Sequence, residues 1–208
     1  MWAPADDYYL PEYIKKNIDI LESDETVVSS TSDFRWFYVE GENNVEEQVI
    51  KNKRTDWKSS ISYYGTRDER VNSFLKNFGT FEMYAVHRTD KLKEGFISNT
   101  FWMWDHACAL NMIKHGNYHA LDEILTYKYT KGIGRGILNS ISNQNVPLLH
   151  IIFLSYPFIS WITKTFGIKI FLKFRRYFFN VFLRGQYIVA AESLRMLKRM
   201  AFGKEKNW

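Results

Sequence analysis

The chain has a single cysteine, Cys108. That excludes any disulfide within it, and the cysteine usage suits a reducing compartment. There is no internal repeat and no low-complexity segment. The opening residues, MWAPADD, are acidic and polar rather than basic and then apolar, so they do not read as a secretory signal peptide. Three glycines in KGIGRG (132, 134 and 136) lack the strand-to-helix context of a phosphate loop and read as a flexible link. Acidic residues are what the C-terminal part lacks. From Lys164 onward there are eleven Lys/Arg and two Asp/Glu, while residues 1–163 carry 17 basic and 21 acidic side chains. A net +5 chain therefore has a −4 body and a +9 tail, and the tail calls for an anionic partner.

What is present is ample apolar and aromatic surface. Of 208 residues, 46% are hydrophobic and 17% aromatic, enough to bury a core. Pro11 is placed to open a helix in which Ile14, Ile18 and Leu21 recur at helical spacing, and Ser23-Asp24 ends it. TVVSS (26–30) predicts a short strand, and residues 31–60 a long polar excursion holding the aromatic cluster 34–38. A helix is expected over 67–78, a strand over 81–87 and a turn or short helix over 89–93. Asp105 precedes an amphipathic helix that Gly116 is placed to end, and 118–129 holds a short strand or two.

Val146–Thr163 is an 18-residue run without Lys, Arg, Asp or Glu. That is the lower edge of a spanning length, and Pro147, Pro157 and His150 within it favour an interfacial or re-entrant segment. FGIKIFLKFRRYFFNVFLRG then mixes basic residues with Phe, Ile and Leu, the composition of a helix lying among lipid headgroups, and AAESLRMLKRM repeats the pattern. Nucleic acid ranks below a membrane as partner, because the apolar run has no place in a solvated nucleic-acid groove.

Asp6 and Asp7 form an acidic pair just before the first helix. Such a pair can hold a divalent cation; by itself it is explained as well by capping and the helix dipole. Its surroundings, WAPADDYYLPEYI, resemble the metal-binding segment of family-2 glycosyltransferases, in which a strand end leads into acidic residues and then Pro-[Glu/Asp]-aromatic-aliphatic opens a helix. Pro4 stands where a further acidic residue is often found. FEMYAVHRTDKL (81–92) resembles the strand and Arg-[Thr/Ser]-[Asp/Glu] turn beside the acceptor site of that family, though a plain core strand and turn explains it as well; Glu82 and His87 are weak polar candidates. FWMWDHACALNMIKHGNYHALDEILTYKY (101–129) resembles the segment that carries the catalytic acid at a helix start, with Trp104-Asp105 in place of the usual Glu-Asp.

The resemblance covers residues 1–135. It implies an α/β fold, a partial GT-A-like (Rossmann-like) mixed sheet with flanking helices, here the acceptor-side half without the N-terminal nucleotide-binding half, followed by an α-helical basic and apolar tail over 136–208. It implies transfer of a sugar from a nucleotide-diphosphate sugar to a lipid-linked or polysaccharide hydroxyl, inverting and metal-dependent. Asp6 and Asp7 would hold Mg²⁺ or Mn²⁺, and Asp105 would be the general base. The expected partners are the donor, the glycan or lipid-linked acceptor, an anionic membrane surface and a chain supplying the missing half. The expected place is the cytoplasmic face of a membrane, peripherally or through one short apolar segment. The competing reading is a non-catalytic membrane- or partner-binding module derived from a truncated transferase. Among other candidates, His115 and His119 are separated by Gly116 and do not share a helical face, Cys108 reads as a small buried hydrophobe, and Trp36, Trp57, Trp102 and Trp104 serve a sugar platform or core packing equally well.

Overall fold

A computed structural model describes residues 7–37, 60–77, 82–98, 100–129 and 147–202. The chain divides into two compact units, residues 1–98 with 105–133 and residues 99–104 with 134–208.

The first unit is a mixed α/β layer. Its strands are β1 (Tyr8–Tyr9), β2 (Val27–Phe37), β3 (Val86–His87) and β4 (Asn117–Tyr129), in the order β1-β4-β2-β3. The two long strands, β2 and β4, run parallel, and each short strand pairs antiparallel with one of them. Opposite Ser32 and Asp33 the register jumps from Leu121 to Ile124. The step leaves Asp122 and Glu123 as an outward bulge, whose carboxylate at Glu123 meets Lys16.

Helix α1 (Glu12–Ser23) follows Pro11 as the sequence predicts, but its buried face is Tyr13, Asn17 and Leu21, while Ile14 and Ile18 are exposed. Hydrogen bonding selects that face. Tyr13 Oη pairs with Thr31 Oγ1 at 3.2 Å and donates to the Tyr84 carbonyl at 3.3 Å, and Asn17 accepts from Ser30 Oγ at 2.7 Å. Helix α2 (Arg67–Asn77) and helix α4 (Trp104–His115) are joined by Arg70, which donates to the carbonyls of Ile113 at 2.8 Å and Lys114 at 3.1 Å. Those are C-terminal carbonyls of α4 left without helical partners. Arg88 does the same for the end of α1, reaching the carbonyls of Leu21, Asp24 and Val27. It precedes the short helix α3 (Thr89–Gly95).

Two expectations give way. The strand expected over 81–87 is a 3₁₀ turn at Glu82–Tyr84 followed by the two-residue β3, because only Val86 and His87 find a partner on β2. The polar excursion expected from residue 31 is in part the continuation of β2 to Phe37. Gly116 does follow the last residue of α4, but its φ is not positive. A Cβ there would lie 2.2 Å from Val28 Cγ1 and 2.8 Å from the Thr26 carbonyl oxygen, so the glycine admits β2 rather than capping the helix.

The second unit is helical. Proline divides the uncharged run into α5 (Leu148–Ile152) and α6 (Tyr156–Phe166), with Pro157 in the first turn of α6. Gly167, at φ +84°, separates α6 from α7 (Ile168–Lys173). Helix α8 (Arg175–Phe202) follows. Trp102 packs with Ile151, Ile188 and Val189 around the buried Leu154, so its ring is core here. Among the described residues no helix is long and apolar enough to cross a membrane.

Candidate functional site

The pairing of β1 with the end of β4 sets Tyr8 opposite Tyr127. The residues beside them, Asp7 and Lys128, thereby meet: Lys128 Nζ lies 3.1 Å from Asp7 Oδ2, and both side chains are more than nine-tenths buried, at 8% and 5% exposure. Lys128 also sits over the rings of Tyr84, at 5.0 Å, and Phe34, at 5.3 Å. A buried ammonium needs such compensation, and a carboxylate with two aromatic faces supplies it.

Beside this pair lies a cavity of about 10 Å³, the room of roughly one water. Its lining joins the hydroxyl-bearing Tyr13, Thr31, Ser32, Ser60 and Thr126 to Lys128 and the aromatic residues Tyr9, Phe34 and Tyr84. These hydroxyls are ordered by one another. Ser32 Oγ lies 3.2 Å from Thr126 Oγ1, and Ser60 Oγ donates to the Ser32 carbonyl at 2.9 Å. Burial pushes the Tyr13 phenol up to about 12, so it stays protonated and can donate.

Asp6 lies outside the described residues. Asp7 is the expected metal ligand that the structure describes, and no group of three or more His, Cys, Asp or Glu suited to a metal occurs among the described residues. Asp7 is engaged by the Lys128 ammonium in a nearly closed site whose cavity has room for about one water, so the described residues alone do not make up the shell of a hydrated Mg²⁺.

Asp105 stands in the first turn of α4 and does not line the cavity. Its Oδ1 accepts from the His106 backbone N–H and from His106 Nδ1, each at 2.9 Å. Burial pushes the Asp105 carboxyl up, but the hydrogen bonds and charge of His106 outweigh it and hold the group below the usual range. Asp105 is therefore ionised at neutral pH, the state a base requires.

The other candidates are structural. Tyr63 Oη donates to Glu82 at 2.9 Å in the core. His115 Nδ1 faces Glu94 at 3.1 Å, and His119 Nδ1 faces Tyr64 Oη at 2.7 Å, so the two histidines have separate partners. Cys108 is fully buried, and burial raises its thiol to about 11. Trp57 and the KGIGRG segment lie outside the described residues, as does the Trp36 side chain.

His87 is locked on both ring nitrogens: Nε2 donates to the Met83 carbonyl at 3.0 Å, and Nδ1 accepts from Ser29 Oγ at 2.7 Å. Burial pulls it down to about 4, against a smaller opposing pull from the Met83 bond. The folded state thus prefers the neutral ring. Its contribution is complete above pH 6.5 and is lost as pH falls toward 4. We expect up to about 3 kcal/mol of stability to vanish across that window, with His115 and His119, also held low mainly by burial, adding smaller amounts in the same direction. Urea unfolding as a function of pH, on the wild type and on His87→Gln, checks this. The variant should show a flatter slope between those limits, and equal slopes would remove the assignment.

The signals that sequence reasoning missed are Lys128, Tyr84 and the hydroxyls of β2. A lysine near a strand end ordinarily marks a solvated edge, and nothing local distinguishes this one. No known protein family matches the sequence, and no curated protein or solved structure matches it either.

Proposed function

We propose that the first unit is the acceptor-side half of a GT-A-like, family-2-type glycosyltransferase, acting at a membrane surface on a lipid-linked or polysaccharide acceptor. The observation that supports this reading most is the meeting of Asp7 with Lys128. The acidic segment before α1 and the last residues of the 101–129 segment, in β4, both fall within the resemblance. They come together at a buried charged pair, beside a polar pocket, at one end of the parallel β2/β4 pair.

In this reading the acceptor hydroxyl oxygen attacks the anomeric carbon of the donor as its bond to the diphosphate breaks. Asp105 takes the proton that the hydroxyl gives up. Mg²⁺ or Mn²⁺ at Asp6 and Asp7 would supply charge stabilisation for the departing diphosphate. Lys128, held by Asp7 and by the rings of Phe34 and Tyr84, keeps the Asp7 carboxylate fixed in orientation.

The test is transfer in membranes from cells that express the protein. Labelled nucleotide-diphosphate sugars are offered as a panel, with and without EDTA. The expected result is label in lipid or polysaccharide from one donor, lost with EDTA and restored by Mn²⁺ or Mg²⁺. Label that is indifferent to EDTA would remove the metal assignment. The alternative, a non-catalytic membrane- or partner-binding module, is favoured by one observation, the large apolar side chains left exposed on the helical unit. Absence of transfer from every donor, with vesicle binding intact, would establish it.

A further inference from the structure

Helix α8 presents two apolar faces, and the core uses one of them. Phe178, Val181 and Gly185 are buried, with a Cβ at Gly185 falling 3.2 Å from the Trp102 ring. On the other side, Phe179, Leu183, Tyr187, Leu194 and Leu197 are 49–74% exposed. With Ala190, also exposed, their spacing is 4, 4, 3, 4 and 3 residues. At about 100° per residue they fall within about 80° of arc, a stripe about 27 Å long. At its edge, Gln186 Nε2 donates to the Ile152 carbonyl at 3.3 Å and Phe182 stacks on Phe153, so the exposed side chains of Ile152 and Phe153 extend the same apolar surface.

Charge decides the occupant. Arg176 lies within the stripe's arc, and Arg184, Arg195 and Lys198 lie along one border; all four are exposed. Glu192, the one acidic residue of α8, projects from the opposite side. A second copy laid along this face would set cation against cation. Long basic side chains beside a strip of Phe, Leu and Tyr instead match a bilayer surface, with the rings and leucines below the headgroups and the Lys/Arg heads reaching anionic phosphates.

We infer that the Phe179–Leu197 face of α8 is the surface by which this protein lies on an anionic bilayer, parallel to the membrane plane. This rests on the reading of the tail as membrane-associating and is independent of the transfer chemistry.

The test is flotation of the full-length chain with vesicles of phosphatidylglycerol and phosphatidylcholine, and with phosphatidylcholine alone. The wild type should float with the anionic vesicles and lose affinity as salt rises. Leu183→Asp and Leu194→Asp should each weaken binding about tenfold or more. Arg184→Gln and Lys198→Gln should each weaken it about fivefold, on anionic vesicles only. The side chains are exposed, so unchanged circular dichroism is expected throughout. Wild-type vesicle binding that the leucine variants retain in full would overturn the face while leaving the membrane reading standing. No vesicle binding by the wild type would overturn both, and a sedimenting dimer split by Leu194→Asp would assign the stripe to a second copy.

Discussion

Lys128→Met is expected to destabilise the protein by about 3–5 kcal/mol, because it leaves the buried Asp7 carboxylate without its cation. Both side chains are almost fully removed from water, so solvent screening does not soften the loss. The methionine conserves volume and still packs on Phe34 and Tyr84, which isolates the electrostatic cost from a packing cost. The second arm is the pair Asp7→Leu with Lys128→Met, which removes both charges together. It should recover most of the stability, since a buried ion pair and a well-packed apolar pair of similar volume are close in free energy. Urea unfolding at neutral pH measures all three proteins. A single-variant cost under about 1 kcal/mol would place the pair at a solvated surface and remove the support it gives to the site.

The legible parts of the fold are those whose signals are local. Pro11 and the residues after it announce α1, and HACALNMIKHG announces α4, which is buried over most of its surface. The orientation of α1 was not legible. Ile14 and Ile18 are the apolar choice for its inner face, yet Tyr13 and Asn17 occupy it because Thr31, Tyr84 and Ser30 satisfy their polar atoms. β2 shows the same effect. Its buried polar stretch is Ser29, Ser30, Thr31, Ser32 and Asp33; the first two fall in the predicted strand, while Thr31-Ser32-Asp33 reads as loop. Its polar groups are met by distant partners: Ser29 by His87, Ser30 by Asn17, and Asp33 Oδ1 by the backbone N–H of Ser60 at 3.2 Å. Of the residues in the proposed site, the acidic pair and Asp105 were suggested by residue type and context. Lys128 was not, because its partner is 121 residues away.

Asp105→Asn is expected to lower the rate of sugar transfer by about 10²–10⁴-fold, the ordinary worth of a positioned general base. The substitution suits this site. Asn keeps the side-chain oxygen that accepts from the His106 backbone N–H and from His106 Nδ1, so α4 and the fold should be preserved. What it removes is the capacity to take a proton. The loss should therefore fall on kcat, with the donor KM and the urea midpoint nearly unchanged; a purely structural role for Asp105 would move the midpoint and leave the catalytic rate per folded molecule intact. Because His106 holds the carboxyl below its usual range, the wild-type rate should show no loss from Asp105 protonation until the pH drops below the ordinary aspartate range. The most direct measurement is the transfer rate of Asp105→Asn beside the wild type, in the same membranes, with the same donor and divalent cation. A drop of at least about a hundredfold at equal folded protein is the predicted result. Transfer at the wild-type rate would contradict the account.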